Sequence, residues 1–378
     1  MNKKIIAAAA LALVSGAALA TDGVSLFGIM DTGIMTQNNT PGGKGTQTQM
    51  WTNGLRQSVW GIKGSEDLGD GTKAFFNLES HIDINTGQLH GTGDPAGTAT
   101  PLFRRQANVG LTNADMGTLT LGKQYGPVLL AVLETEPRLF KEQFSNLYML
   151  AYSQINTAGT LLPCGANTTA STCASVNSNN DVGIFMDNAV QYSNAVGPVN
   201  FGLLYSLGGQ AGSTNKNQAY ALGVTYHGPV VLAGGYQAFT DTATGNNITK
   251  FYTFGGAYTY GAVTFRANFM DSRNFDPSTQ ATLADVQGIS GGADWTWSTR
   301  NTATLAYYNN QDKNHTLDQT RNVVLSNDFH WSKRTTLYAQ AAYVQADSGA
   351  KLDTSIVASG SVANTNTLYL NVGVNHTF

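Results

Sequence analysis

Segments in which apolar and polar residues alternate with a period of two recur from Val24 to the end of the chain. In "AYALGVTYHG" one face carries Tyr220, Leu222, Val224 and Tyr226 and the other Ala219, Ala221, Gly223 and Thr225. "AVTFRANFMD" sets Val263, Phe265 and Phe269 against Thr264, Arg266 and Asn268, and "ISGGADWTWS" sets Ile289, Trp295 and Trp297 against Ser290, Asp294 and Thr296. A period of two is the signature of strands with one greasy and one wet face. The pattern predicts about sixteen segments, each of roughly ten residues. They fall at 24–35, 55–64, 73–84, 104–112, 117–124, 187–194, 199–207, 218–227, 230–239, 250–260, 262–271, 286–297, 301–310, 320–331, 335–346 and 366–378.

Alternation of this kind suits a soluble sandwich and a membrane-spanning barrel alike. Three features favour the barrel. Aromatic residues gather near segment ends, as at Tyr258 and Tyr260, Trp295 and Trp297, Phe329 and Trp331, like interfacial girdles. Connections alternate between short ("HGP", "GA", "STR", "SKR") and long and polar ("TDTATGNNIT", "SRNFDPSTQATLAD", "NQDKNHTLDQ"). The segment count is even. In hydrocarbon every backbone N–H and C=O must be paired inside the protein, so a sheet spans only when it closes on itself. The final segment, "LYLNVGVNHTF", still alternates when it stops on Phe378, which fits a last strand that pairs with the one at Val24 and leaves no edge. The expected fold is therefore all-β: a 16-stranded antiparallel transmembrane β-barrel.

Composition agrees and narrows the function. Only 12% of residues are charged, while 42 are glycine and Tyr and Phe number 16 each. "MNKKIIAAAALALVSGAALA" reads as an export signal over residues 1–20, leaving 21–378 as a single barrel domain. Those first residues hold two lysines and no acid, so nineteen bases face 24 acids in the remainder, which disfavours a nucleic-acid partner. Cys164 and Cys173 lie in the polar stretch "PCGANTTASTCAS" and read most simply as one disulfide in an exported chain. Their spacing matches no zinc pattern, the six histidines are scattered, and the acids of "SEDLGDG" suit a turn better than a metal site. No cofactor or metal is expected, and no paired nucleophile and base points to an enzyme.

One connection breaks the rule. Between the fifth and sixth segments run some sixty residues, 125–186, beginning "YGPVLLAVLETEPRLFKEQFSNLYMLAY". This is too long for a hairpin loop and too apolar for a solvated excursion, so it is expected to fold inward and pack on the wall.

With "VSLFGIMDTGI", "SVWGIKGSEDLGDGTKAFFNLES", "FRRQANVGL", "GTLTLGKQYGP", "DNAVQYSN" and the terminal "VGVNHTF", the chain resembles the Gram-negative general porins, in particular the trimeric sixteen-stranded branch common in beta-proteobacteria. The resemblance implies a water-filled channel for small hydrophilic solutes and ions, in the outer membrane and surrounded by its lipids, with the third loop narrowing the lumen. A solute-selective channel of the same fold is the alternative reading. It also implies a homotrimer and a terminal Phe378 read by the barrel-insertion machinery. Carried over residue by residue, the constriction's acids are Glu134 and Glu136 and its bases Lys123, Arg104 or Arg105, and Lys63. Asp31, Arg266 and Asp294 fall on lumen faces. Val59, Phe185 and Gln191 stand where relatives often carry basic residues, which implies a less basic wall. Acids facing bases across a constriction create a transverse field that biases ion flux.

Overall fold

The computed structural model describes residues 23–40, 44–90, 101–147, 149, 177–351, 354–356 and 363–378. The expected export signal and the Cys164–Cys173 pair lie outside these residues. In chain order the elements are β1 Gly23–Gln37, β2 Gln47–Thr52, β3 Val59–Gly69, β4 Thr72–Asp83, β5 Gln88–Leu89, β6 Gln106–Asn113, β7 Gly117–Tyr125, α1 Pro127–Val132 and β8 Asn180–Asp181. There follow β9 Phe185–Val196, β10 Val199–Ser206, β11 Ala219–His227, β12 Val231–Thr240, β13 Asn247–Tyr260 and β14 Val263–Phe275. The last five are β15 Thr282–Ser298, β16 Asn301–Asp312, β17 Gln319–His330, β18 Thr335–Ala346 and β19 Thr365–Thr377.

Each wall strand pairs antiparallel with its neighbours, and β19 returns to β1 from Ile29↔Thr377 to Gln37↔Tyr369. Phe378 completes the seam: its N–H donates to the Gly28 carbonyl (3.0 Å) and its carbonyl accepts from the Gly28 N–H (3.2 Å). The sheet is thus a closed barrel without a free edge. Strands β5 and β8 are two-residue bridges, and β2 continues the line of β3 along β1, which leaves sixteen wall strands. Their positions match the sixteen segments read from alternation to within a few residues, apart from the second, expected at 55–64. The second segment is not continuous: β1 pairs with β3 up to Ile29↔Val59 and with β2 from Thr32↔Thr52, and residues 53–58 leave the ladder between them.

The two faces sort as the alternation requires. Leu26, Phe265, Ile289, Leu305, Leu325 and Leu370 are exposed on the outside, and Tyr258, Tyr260, Trp295, Trp297 and Trp331 are exposed near the strand ends that carry the short turns. Along β19 Leu368, Leu370, Val372 and Val374 face out while Tyr369, Asn371 and Asn375 are buried inside.

The buried apolar residues lie within the barrel rather than between layers. One cluster joins α1 (Val128, Ala131, Val132) and Phe140, Leu147 and Met149 to wall residues Ala221, Ala233, Phe251 and Met270. A second gathers Phe144 with Met35, Tyr308, Val324, Tyr369 and Ile356. The third loop therefore folds inward and packs on the wall, and a piece of the last loop joins it: the Thr354 carbonyl accepts from Asn310 Nδ2 at 3.0 Å and from the Thr320 hydroxyl.

Glycine makes the close approach possible. A methyl added to Gly202 would lie 2.8 Å from Pro127 Cβ, to Gly235 2.9 Å from Val128, and to Gly292 2.9 Å from Pro137. At Gly223 it would meet the Pro127 carbonyl oxygen head on. These glycines form a furrow across strands β10, β11, β12 and β15 in which the loop lies. Gly223→Val should therefore cost about 1–3 kcal/mol through overpacking, read from urea unfolding in micelles. Wild-type stability in that variant would show that the loop does not occupy the furrow.

Candidate functional site

The excursion at residues 53–58 is organised by Asp31, a carboxylate on β1 with no solvent exposure. Its oxygens accept from the backbone N–H groups of Gly54 (2.7 Å), Leu55 (2.9 Å) and Arg56 (3.0 Å). Tyr338 Oη and Asn375 Nδ2 donate to it as well, each at 2.8 Å. Three successive amides cannot serve a sheet ladder and this carboxylate at once, which is why the strand breaks here. Asp31 does lie on the inner face, as the alternation requires, but as a structural acceptor shielded from the channel water. The break presents Arg56 inward, a residue that sequence reading missed. The signal was a polar "NGLRQS" next to a lumen-facing acid.

The loop is organised in the same way by Glu136, which is also fully buried. It accepts from the N–H groups of Arg138 and Phe140, each at 2.7 Å, and from Tyr308 Oη at 2.7 Å. Arg138, equally buried, donates to Ser326 Oγ (3.0 Å), the Gln143 carbonyl (3.1 Å) and Gln340 Oε1 (3.1 Å). The expectation that Glu136 faces the channel is thus corrected: its side-chain oxygens satisfy backbone amides at the turn. The loop tip then crosses to the strand break, with Glu142 N–H donating to the Leu55 carbonyl (3.0 Å) and Gln57 Nε2 donating to the Glu142 carboxylate (2.9 Å).

Glu134 is half-buried against the wall, its carboxylate 3.0 Å from His227 Nε2. Arg266 bonds the Glu134 carbonyl (3.1 Å) and forms an ion pair with Asp294, which also accepts from Thr304 Oγ1 at 2.6 Å. Arg104 and Arg105 were expected on opposite faces of one strand. However, β6 begins at Gln106, and both arginines turn inward ahead of it. Arg105 engages Glu79 and the Tyr125 hydroxyl, while Arg104 engages Asp181 at 3.1 Å. Lys123 joins that second group, 3.1 Å from Asp181 and 2.5 Å from Asp187, just past a register shift at Gly122 (φ 113°). Lys63 lies apart, its ammonium 5.1 Å from the centre of the Phe27 ring.

What the strand break and the loop enclose is a cavity of about 540 Å3. Its cationic lining is Arg56, Arg105, Lys141, Lys333 and Arg334, and its acidic lining Glu142, Asp294 and Asp328. Lys141 is paired with Asp328 at 2.8 Å. Leu129, Leu130, Leu133, Leu139 and Leu147 add apolar lining, and wall residues such as Ile29, Thr302, His330 and Asn375 complete it. Of the residues expected at the constriction, Arg105 reaches this cavity. Glu134, Glu136, Lys123, Arg104 and Lys63 do not line it. Burial raises the carboxyl of Glu142, opposed by the Gln57 hydrogen bond and the charges of Arg105 and Arg104 and assisted by Asp31. Among the described residues no group of three metal-ligating side chains forms.

A closed antiparallel barrel with an apolar exterior, a wet interior and an inward-folded loop has the architecture of an outer-membrane pore. The chain belongs to the Gram-negative porin family, whose model matches residues 7–349, and membership places it in the outer membrane. It is similar to an outer membrane porin protein of Bordetella pertussis, 38% identical over 136 residues that make up 33% of this chain and 34% of that protein. The matched stretch thus spans about a third of the relative's length. The anion-selective porin from Comamonas acidovorans shares the fold with a TM-score of 0.74 at 21% identity, over 95% of this chain and all of that one. OmpT of Vibrio cholerae, in a structure described as its trimer form, does so with a TM-score of 0.58 at 11% identity, over 95% of this chain and 100% of that one.

Because Glu136 serves the loop turn, Glu136→Gln should lower unfolding stability by about 2 kcal/mol, the scale of a lost charged hydrogen bond. The reversal potential of the reconstituted protein in a salt gradient should stay unchanged. A shift towards anions would return Glu136 to the channel.

Proposed function

We propose that the protein is a passive diffusion channel for small hydrophilic solutes and ions, with the constriction formed by Arg56, Arg105, Lys141 and Glu142. The observation that carries this reading is the cavity between the loop and the strand break, lined by charges of both signs. Five cations against three acids give the lining a positive balance, so the channel favours anions modestly. Arg105 and Lys141 are each held by an acid, which mutes their contribution, while Arg56, Lys333 and Arg334 have no side-chain hydrogen bond or ion pair among the described residues. No covalent or proton-transfer step is required, because each solute moves down its own gradient.

Several expectations belong to the same proposal. Residues 1–20 are removed on export, and 21–378 fold as one barrel whose 125–186 connection narrows the lumen. The chain assembles as a homotrimer, a reading supported by the trimer form of a protein sharing its fold. The terminal Phe378 addresses the insertion machinery, and Cys164 pairs with Cys173.

Single-channel recording under a potassium chloride gradient tests the proposal: stepwise conductance with a reversal potential of anion-preferring sign is expected, and absence of steps would end the channel reading. The raised carboxyl of Glu142 sets the pH response. As pH falls from 7, Glu142 takes up its proton before an ordinary carboxylate does, one negative charge leaves the lining, and anion preference rises. Linkage gives the matching sign for stability. A carboxyl raised in the folded state favours that state at low pH, and the benefit is lost as pH rises through the folded pKa. Glu142→Gln should show the higher anion preference already at pH 7 and lose this early part of the pH response. An identical pH profile in the variant would remove Glu142 from the constriction.

A further inference from the structure

Where the strand break leaves the ladder, it rests on a pair of histidines. His81, buried on β4, pairs with Val59, and the next amide, Ile82 N–H, donates to the Ser58 carbonyl at 2.9 Å. The ring of His90 stacks on that of His81, with centres 4.0 Å apart and planes at 26°, and the His90 N–H donates to the His81 carbonyl at 2.9 Å. On its other side His81 meets Asn53, the residue that opens the break in a left-handed conformation (φ 66°): Asn53 Nδ2 lies 3.2 Å from His81 Nε2.

This contact admits one protonation state. Asn53 Oδ1 accepts from the Ser58 N–H (2.7 Å) and from the Thr52 hydroxyl (2.9 Å), which fixes the amide with its NH2 group towards the histidine. An NH2 group only donates, so His81 Nε2 must accept and carries no proton. Protonation would set two donors against each other. The surroundings offer the new charge no acid. Asp83 is taken by His90 Nδ1 (2.5 Å), Glu79 by Arg105 and Asp181 by Arg104, while Asp31 serves the amides of residues 54–56 and Glu142 accepts from Gln57. The charges that act on the His81 ring are those of Arg104 and Arg105, and of His90 when it is protonated.

Asn53 in turn holds both ends of the break together. Its side chain takes the Ser58 amide, and its own N–H donates to the Asp31 carbonyl (3.0 Å), which also accepts from the Ser58 hydroxyl (3.0 Å). Between these ends Leu55, Arg56 and Gln57 line the cavity.

We infer that His81, stacked on His90, is an acid-sensitive latch for the strand break: neutral, it holds Asn53 and with it residues 53–58, and protonated, it releases them and displaces the lining they carry. The latch goes beyond the diffusion-channel reading and rests on it. Histidine is the side chain whose charge changes between about pH 5 and 8. Because the latched state excludes the proton, the ratio of released to latched channels rises by up to about tenfold per pH unit once acid protonates the released ring.

The test is single-channel recording of the full exported protein in planar bilayers, in symmetrical potassium chloride, from about pH 7.5 down to about pH 4.5. The wild-type channel should spend a rising share of time away from its main conductance level, about tenfold more at the acid end. His81→Gln keeps an oxygen to accept from Asn53 and has no titrating ring, so its share should stay constant with pH. Asn53→Asp keeps an oxygen for Ser58, tolerates the left-handed backbone and offers protonated His81 a carboxylate, so acid should not release it either. The two variants differ in chemistry, so one that inserts suffices. The response of Glu142 is read separately, in the reversal potential, and persists in both. Steps whose excursions do not grow with acid in wild type, or grow equally in His81→Gln, would overturn the latch and leave the channel intact. Absence of steps at every pH would overturn the channel reading and the latch with it.

Discussion

Backbone that leaves a sheet inside a channel must still find acceptors for its N–H groups, and in this barrel two buried carboxylates supply them. Asp31 gathers the amides of Gly54, Leu55 and Arg56, and Glu136 those of Arg138 and Phe140. Each would be costly to bury alone, but a carboxylate that accepts from several donors is well satisfied. Each also takes a hydroxyl from the wall, Tyr338 in one case and Tyr308 in the other, which ties irregular backbone to regular strands. The two segments then meet through the Glu142 amide and the Leu55 carbonyl. The shape of the constriction follows from these two clasps.

Closure of the wall makes that interior possible. Because β19 pairs with β1 and the outer face meets lipid, the inner face is free to serve as a mould. Its glycines let the loop lie within contact of the strands, so the apolar core forms inside the barrel and on one side. The uncovered remainder of the lumen is lined by guanidinium groups, amines and carboxylates together with leucines. Charge there is partly compensated, as in Lys141 with Asp328 and Arg105 with Glu79, which leaves Arg56, Lys333 and Arg334 as the lining cations without such a partner among the described residues.

The wall was legible in the sequence because period two is enforced at every rung: a slip of one residue would turn Leu368, Leu370 and Val372 from lipid into the lumen. The constriction was less legible, because its residues lie where periodicity fails. Glu134 and Glu136 are both acids in the loop, yet one meets a wall histidine and the other disappears beneath backbone amides, a distinction set by the turn at Leu139 and Phe140. Arg104 and Arg105 could not both be placed inward by strand logic, since β6 starts one residue later. Arg56 fell inside an expected strand of 55–64, and only the amide demand of Asp31 shows why it leaves the ladder.

The central claim is that the conducting path passes the clasped strand break at Arg56. It is tested most directly by placing cysteine there (Arg56→Cys) and adding a negatively charged methanethiosulfonate reagent to one chamber during single-channel recording, with the wild-type chain as baseline. The account predicts a discrete fall in step size and a reversal potential displaced towards cations upon reaction, with no such change in wild type. Steps and reversal potential that stay the same after confirmed modification would contradict it.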